Sequence, residues 1–288
     1  MQTSHRDYST ISPSAKSLLM LKGTTRIPFA KEAAQLLVFP KTYEITPTGT
    51  DWMFWVRVLH FEERYWSIDQ LLSALPIKNV LELSSGFSFR GLAAAKDHDD
   101  YYIDTDLPEV VAIKQSFVAG LYKGPLKGHL ELLPLNALDE EQFQERVSRF
   151  PAGPLAIVNE GLLMYLDQQE KEKLCGIVRR VLQQRGGYWI TADIYIKKEE
   201  ARAGIIQDQE WKAFYAQHHI HENMFDSFEA AEIFFKEMGF VVDKVAVKDY
   251  SRLTALPRLL SLSTNEQQQK MRGAGQIRTT WQLKLPNE

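Results

Sequence analysis

Two glycines, Gly86 and Gly91, lie in the segment Glu82-Leu83-Ser84-Ser85-Gly86-Phe87-Ser88-Phe89-Arg90-Gly91, which continues a short apolar run. A glycine at such a turn lets the backbone approach a ligand closely or adopt positive φ, and small serines beside it leave room for the same approach. The G-x-G-x-x-G spacing that holds a dinucleotide pyrophosphate is missing, which makes a phosphate-bearing cofactor the poorer reading. An acid closing the next strand, roughly 20 residues on, accepts the ribose hydroxyls of a nucleoside. Asp104 and Asp106 stand at that distance, in Asp104-Thr105-Asp106-Leu107-Pro108-Glu109-Val110. An aspartate shortly before a proline is equally what starts a helix in any fold. On spacing, a ribose contact and a helix cap are both open.

Glu160 ends another apolar run, Leu155 to Asn159. An ionised carboxylate at the end of a buried strand is costly unless paired or hydrogen-bonded, so Glu160 needs either a structural cation or a ligand. Arg64 and Arg57 lie on one amphipathic stretch, where each is a surface charge or a partner for a carboxylate, and Arg90 reads as a cap on the glycine turn. His218, His219 and His221 crowd one segment, but no Asp, Glu or Cys stands at a spacing that completes a metal site. No metal is expected, and a histidine-bearing lid that contacts substrate is the better reading. Trp52, Trp55 and Trp66, at helical spacings, read as core anchors rather than an aromatic cage. The single cysteine, Cys175, can form no internal disulfide and reads as a small apolar packing residue.

Hydropathy sets the elements that must position these residues. From about Ser12 to Leu75 the pattern is helical, with Ser14 to Leu21, Phe29 to Leu37 and a long amphipathic stretch from Asp51 to Ala74. Pro40 and the turn Pro47-Thr48-Gly49 punctuate it. After Pro76, short apolar runs alternate with amphipathic helices in the order of βαβ units. Strands are predicted at Asn79 to Leu83, Tyr101 to Asp104, His129 to Leu133, Leu155 to Asn159, Tyr188 to Ala192, Phe240 to Val247 and Thr279 to Leu285. Helices are predicted at Val110 to Phe117, Glu140 to Arg149, Gln168 to Gln184 and Ser227 to Met238. The expected fold is α/β: a Rossmann-like, doubly wound, mostly parallel seven-stranded sheet. An N-terminal helical cap spans residues 1–75 and the main domain residues 76–288. Residues 197–225 interrupt the alternation and far exceed the two to six residues of an ordinary connection, so they read as a lid insertion.

The composition narrows the function classes. With 288 residues, 44% of them hydrophobic, the chain can bury one large α/β domain. A net charge of −3, a pI near 6.2 and no block of like charge argue against nucleic acid, whose binding needs clustered Lys and Arg. No segment approaches the roughly 18 uninterrupted apolar residues of a membrane span, and the start, with His5, Arg6 and Asp7, lacks a signal-peptide layout. A reducing cytoplasm is the expected location.

Three segments resemble the leucine carboxyl methyltransferase superfamily, including the tetracenomycin-type polyketide carboxyl methyltransferases. Val80-Leu81-Glu82-Leu83-Ser84-Ser85-Gly86 with its continuation to Gly91 is similar to the family's first motif, which holds the methionine part of S-adenosylmethionine. Asp104-Thr105-Asp106-Leu107-Pro108 is similar to its acidic-x-Asp-x-Pro segment, which holds the ribose. Asn159-Glu160-Gly161-Leu162-Leu163-Met164-Tyr165-Leu166 resembles the segment after its fourth strand and is the most specific of the three. Arg64-Tyr65-Trp66-Ser67-Ile68-Asp69 is similar to a stretch whose arginine would reach the cofactor carboxylate, which favours Arg64 over Arg57. The likeness runs from about Ser12 to Ala192. It implies cofactor contacts from Arg64, Glu82, Ser84, Gly86, Asp104, Asp106, Glu160 and, after the third strand at the adenine position, Asn136 and Ala137. One departure matters: the family usually places glycine where Ser84 stands, which weakens cofactor binding if that backbone needs positive φ.

The resemblance implies an S-adenosylmethionine-dependent O-methyltransferase that esterifies a small-molecule carboxylate, polyketide-like on the evidence of Ile11 to Ala15 and Ile27 to Ala30. A carboxylate is anionic near pH 7 and needs no strong base, so the task of the protein is alignment. A phenolic or alcohol acceptor would instead want a base such as His218 or His219, with Tyr165 facing cofactor or acceptor. A third reading, from another class, is a catalytically idle Rossmann-like module that binds a partner protein.

Overall fold

The five apolar runs between residues 79 and 195 form the parallel part of one sheet, seen in a computed structural model that describes residues 12–37, 52–197, 209–273 and 275–286. The strands are β1 (Asn79–Leu83), β2 (Tyr101–Asp106), β3 (His129–Pro134), β4 (Leu155–Asn159), β5 (Gly187–Tyr195), β6 (Val241–Val245) and β7 (Arg278–Lys284), in the order β3-β2-β1-β4-β5-β7-β6. All neighbours from β3 to β5 pair in parallel, and β7 inserts antiparallel between β5 and β6. β1 and β4 are buried at every residue, as strands covered on both faces must be. The doubly wound, mostly parallel seven-stranded sheet expected from the sequence is what the chain forms.

The helices are α1 (Ser12–Lys22), α2 (Ala30–Leu36), α3 (Trp52–Ser73), α4 (Arg90–Asp97), α5 (Pro108–Leu121), α6 (Glu140–Ser148), α7 (Gln168–Arg185), α8 (Gln209–Gln217), α9 (Phe228–Glu237), α10 (Ala255–Leu262) and α11 (Asn265–Gly273). Strand alternation sorts the core into two layers. Val80, Tyr102, Ala156, Val158, Ile190 and Ala192 meet Ile68 and Leu71 of α3 on one face. Leu81, Ile103, Ile157 and Trp189 meet Phe143 of α6, Leu174 and Val178 of α7 and Phe235 of α9 on the other. Chain entering β2 from β1 and chain entering β5 from β4 therefore cross on opposite faces. The strand order reverses between β1 and β4, and their carboxyl ends form the crevice where such sheets bind ligands.

Several elements differ from the sequence reading. α4 was not predicted, because its eight residues are fewer than the roughly 11 to 18 over which a helical period is read. It packs directly on β2, since a Cβ at Gly91 would come within 2.6 Å of Tyr102. α10 and α11 were likewise missed between β6 and β7. β2 runs two residues further than predicted and β5 three, carrying Asp106 and Asp193–Tyr195 to the rim. α3 covers the sheet itself, and its buried Glu62 accepts from Thr254 N and Ala255 N, both at 2.8 Å, holding the start of α10 in place. Arg252 lies over the Trp66 ring at 3.8 Å and Trp55 packs against Leu21, Phe54, Val58 and Ala255, in keeping with anchoring roles. Cys175 is buried, and burial pushes its thiol up. The predicted punctuation at Pro40 and Pro47 to Gly49, and residues 198–208 of the insertion, lie outside the described residues.

Candidate functional site

The turn after β1 is built on left-handed backbone: Ser84 has φ 49° and Gly86 φ 54°. Ser85 N donates to Thr105 O at 3.0 Å and Ser88 N to Ser85 O at 2.9 Å, which closes the turn against β2. Asp106 then locks it. Its Oδ2 accepts from Gly86 N at 2.6 Å and its Oδ1 from Leu107 N at 2.7 Å, so one carboxylate joins the glycine turn to the start of α5. Burial raises the Asp106 carboxyl above its ordinary value, with the two backbone donors opposing. The left-handed geometry at Ser84 costs a residue with a Cβ on the order of 1 kcal/mol. Ser84→Gly is accordingly expected to raise stability by about 1 kcal/mol, seen as a higher urea midpoint at unchanged slope. An unchanged midpoint would mean that the Ser84 backbone is unstrained.

Tyr102, Asp104 and Asp106 share one face of β2, yet only Asp106 stands at its open end. Asp104 is tied to Lys114 Nζ at 2.5 Å and accepts from Ser85 Oγ. Burial raises its carboxyl to about 6, with Lys114 pulling the other way. Glu82, also fully buried, accepts from Tyr102 Oη at 2.6 Å and faces Arg90 Nε at 3.6 Å. Both acids brace the layer between β1, β2 and the helices above.

At the end of β4 the chain hangs on one residue that the sequence reading missed. Asp193 on β5 accepts from Gly161 N at 2.6 Å, Leu162 N at 2.7 Å, Leu163 N at 3.1 Å and Asn159 Nδ2 at 2.6 Å. Trp189 Nε1 holds Asn159 from the other side at 2.7 Å. This loop presents Glu160 to Lys22 Nζ at 2.5 Å, Arg64 Nε at 3.1 Å and Arg90 Nη2 at 3.3 Å. Burial would raise the Glu160 carboxyl, but the three cations outweigh it and hold it at about 2. Asp193→Asn must turn an amide NH2 toward at least one backbone N–H whichever way it is placed, at a cost of about 2 kcal/mol. Urea unfolding is expected to read that loss, and equal stability of the variant would deny Asp193 its role in the loop.

Arg64, Ser84, Gly86, Asp106, Asn136, Ala137, Glu160 and Tyr165, eight of the residues singled out from the sequence, line one open cavity of about 140 Å³ over the carboxyl ends of the strands. Glu82 and Asp104 do not line it: they lie below, paired with Arg90 and Lys114 respectively, Glu82 also accepting from Tyr102 Oη. His218 and His219 do not line it either. His218 packs on Phe214 at 4.5 Å and edge-on to Tyr165 at 6.1 Å, behind the aromatic wall, and His219 sits in the turn ending α8 at φ 51°. Among the described residues no group of His, Cys, Asp and Glu is placed to hold a metal, and no helix is long and apolar enough to cross a membrane.

Along the rim, strand order sorts the lining. Asp106 and the segment from Leu135 to Leu138 stand at the β2–β3 end, the serine-glycine turn and Glu160 over β1 and β4, and Tyr195 at the tip of β5. Lys22, from α1, lines the middle beside Arg64. In sequence it reads only as a basic residue complementing a helix C-terminus, which hides its partner. Arg64 Nη1 reaches Tyr195 Oη at 3.4 Å, and His60 Nε2 reaches the same oxygen at 2.8 Å. Burial pushes the Tyr195 phenol up, while burial with Arg278 and Arg64 pushes His60 well below its ordinary value, so both are neutral near pH 7. Asp193 and Tyr195 had one available signal, their place at the carboxyl end of a strand in a doubly wound sheet.

No protein-family profile matches the chain, and no curated protein matches it. Solved structures do. A DUF574 family protein from Streptomyces avermitilis is 14% identical, with a TM-score of 0.58 over 95% of this chain and 97% of that one. The methyltransferase domain of a bacterial CtHen1 is 11% identical, with a TM-score of 0.51 over 79% of this chain and all of that domain. At these identities the likeness is one of fold: this chain has the Rossmann-like α/β fold that a solved methyltransferase domain also has.

Proposed function

We propose that the chain is an S-adenosylmethionine-dependent O-methyltransferase that esterifies the carboxylate of a small molecule, as the resemblance to the leucine carboxyl methyltransferase superfamily implies. One observation carries the reading: along the cavity stand an acid at the β2 end, two cations in the middle and, among the described lining residues of the β5 end, no carboxylate or histidine, His60 lying behind Tyr195. Each Asp106 oxygen accepts one backbone N–H, which leaves lone pairs for two ribose hydroxyls. Asn136 and Ala137 stand beside it for an adenine edge. Lys22 and Arg64 border the cavity next to Glu160, suited to the carboxylate and the amine of a methionine moiety. A Cβ at Gly161 would lie 3.4 Å from Arg64 Nη2, so the glycine keeps the guanidinium uncovered.

When bound, the cofactor supplies an electrophilic methyl group on a sulfonium. The chain's own residues then orient and desolvate. Holding an acceptor oxygen in line with that methyl is worth up to roughly 7 to 11 kcal/mol. The apolar side chains that α1, α3 and α8 give to the walls lower the local dielectric, which strengthens the attraction between an anionic acceptor and a cationic donor. A phenol would need deprotonation. Glu160, held at about 2, and His60, held well below its ordinary value, are poor bases, and His218 and His219 do not line the cavity, so a carboxylate fits better.

Calorimetry with S-adenosylhomocysteine tests the cofactor, and radiolabelled methyl transfer to a panel of small acids and phenols tests the acceptor. Binding, with label released as methanol by alkali, is the expected result. Alkali-stable label would mean an ether and a phenolic or alcohol acceptor. No binding at millimolar ligand would leave the idle partner-binding module.

A further inference from the structure

We infer that Tyr195, held by the positioning residue His60, grips the acceptor, its phenol donating a hydrogen bond to the carboxylate oxygen that does not attack. The inference rests on the methyl-donor reading above and adds to it the residues that choose the acceptor. It follows from where Tyr195 stands and from what its oxygen already holds.

Position comes first. β2, β1, β4 and β5 are consecutive in the sheet, so Tyr195 lies three strand spacings from the Asp106 strand, roughly 14 Å along the rim. A nucleoside held at Asp106, with its amino-acid tail at Arg64 and Glu160, leaves the β5 end of the cavity for the second reactant. That end is walled by Phe61, Met164, Tyr165, Phe214, Tyr215 and Ile220, none of them charged. Among the described lining residues, Arg64 and the phenols of Tyr165, Tyr195 and Tyr215 are the polar groups near that end; Tyr195 is the phenol at the tip of β5 that both Arg64 and His60 hold, and Arg64 is shared with Glu160.

Hydrogen-bond capacity comes second. A phenol oxygen has two lone pairs and one proton. Arg64 can only donate to it, at 3.4 Å. His60, neutral in this buried place, lies at 2.8 Å and fills the second lone pair when its Nε2 carries the proton. The Tyr195 proton is then free for a ligand oxygen, and two donors on the phenol oxygen strengthen it as a donor. A carboxylate uses this well: one oxygen takes the Tyr195 proton and the other keeps its lone pairs for the methyl. In the transfer an O–CH3 bond forms as the S–CH3 bond breaks, the electron pair of the broken bond stays on sulfur, and no proton moves. A neutral alcohol held by its single oxygen would instead have its nucleophile occupied by the same hydrogen bond.

Benzoate and phenol serve as probes, titrated into the full-length protein saturated with S-adenosylhomocysteine. Benzoate is expected to bind at least tenfold tighter than phenol. Tyr195→Phe should weaken benzoate at least tenfold while the affinity for S-adenosylhomocysteine moves less than threefold. His60→Leu should do the same, and His60→Gln, whose amide can still donate to Tyr195, should restore most of the affinity. Thermal melts of each variant identify any that fail to fold, and the two His60 variants decide if Tyr195→Phe is among them. Benzoate binding no tighter than phenol, unchanged by Tyr195→Phe, or lost equally in both His60 variants, overturns the proposal, as does a parallel loss of S-adenosylhomocysteine. Failure of the wild-type protein to bind S-adenosylhomocysteine at all would overturn the methyl-donor reading, and this one with it.

Discussion

Glu160→Gln is expected to lower the stability of the protein by about 3 to 5 kcal/mol at pH 7, the range for removing one charge from a buried ion cluster. The side chain is 4% exposed and faces Lys22, Arg64 and Arg90, each itself buried, so glutamine keeps the shape and leaves three cations around a neutral amide. Linkage gives an independent figure. The carboxyl sits at about 2 in the folded chain against an ordinary 4.5, and a depressed carboxyl stabilises the fold above the unfolded value. Two to three pH units at 1.36 kcal/mol each amount to about 3 kcal/mol. That contribution is whole above pH 4.5 or so and is lost as pH falls toward 2. Urea unfolding of both proteins between pH 2 and 7 therefore should show a gap at neutral pH that closes in acid. A variant as stable as the wild type at pH 7 would refute the cluster's role in the fold.

Asp106→Asn is expected to weaken S-adenosylhomocysteine about 100-fold, measured by calorimetry. Each carboxylate oxygen of Asp106 already faces a backbone N–H, Gly86 on one side and Leu107 on the other. An amide therefore sets its NH2 against one of them in either orientation, disturbing the glycine turn, and it also withdraws an acceptor from the ribose. A lost charged hydrogen bond of about 1.5 to 3 kcal/mol corresponds to roughly 10- to 150-fold in affinity. Asp104→Asn supplies the contrast. It strands the buried Lys114 and should cost stability, while leaving the affinity within a few-fold, because Asp104 does not border the cavity. Equal affinity losses in the two variants would contradict the separate roles that their geometry assigns.

These two acids mark the limit of what could be read in advance. Both lie at the expected distance from Gly86, in a motif that gives no reason to prefer either. Lys114, ten residues beyond Asp104, decides between them by pairing with the first. The same holds for Arg90, which read as a cap for the turn and instead bridges Asp69, Glu82 and Glu160. α4 and the last residues of β5 escaped the hydropathy pattern because an eight-residue helix is shorter than the window a period needs and because Asp193 interrupts an apolar run. The histidines of the insertion were conspicuous in sequence, yet none of His218, His219 and His221 lines the cavity, and His218 packs against Phe214 and Tyr165.

By itself the sequence determined the local features: where the seven strands and most of the longer helices fall, and which glycine-bearing turn follows β1. Each of these depends on residues within a few positions of one another, through side-chain period, turn chemistry and allowed φ. Tertiary structure alone decided which of Glu82, Asp104, Asp106 and Glu160 faces the cavity and which is neutralised beneath it. The partners that settle the matter for Glu160 lie 138, 96 and 70 residues away, at Lys22, Arg64 and Arg90. A buried charge takes its state from whatever countercharge the packed fold brings within a few ångströms, and no local pattern encodes that distance.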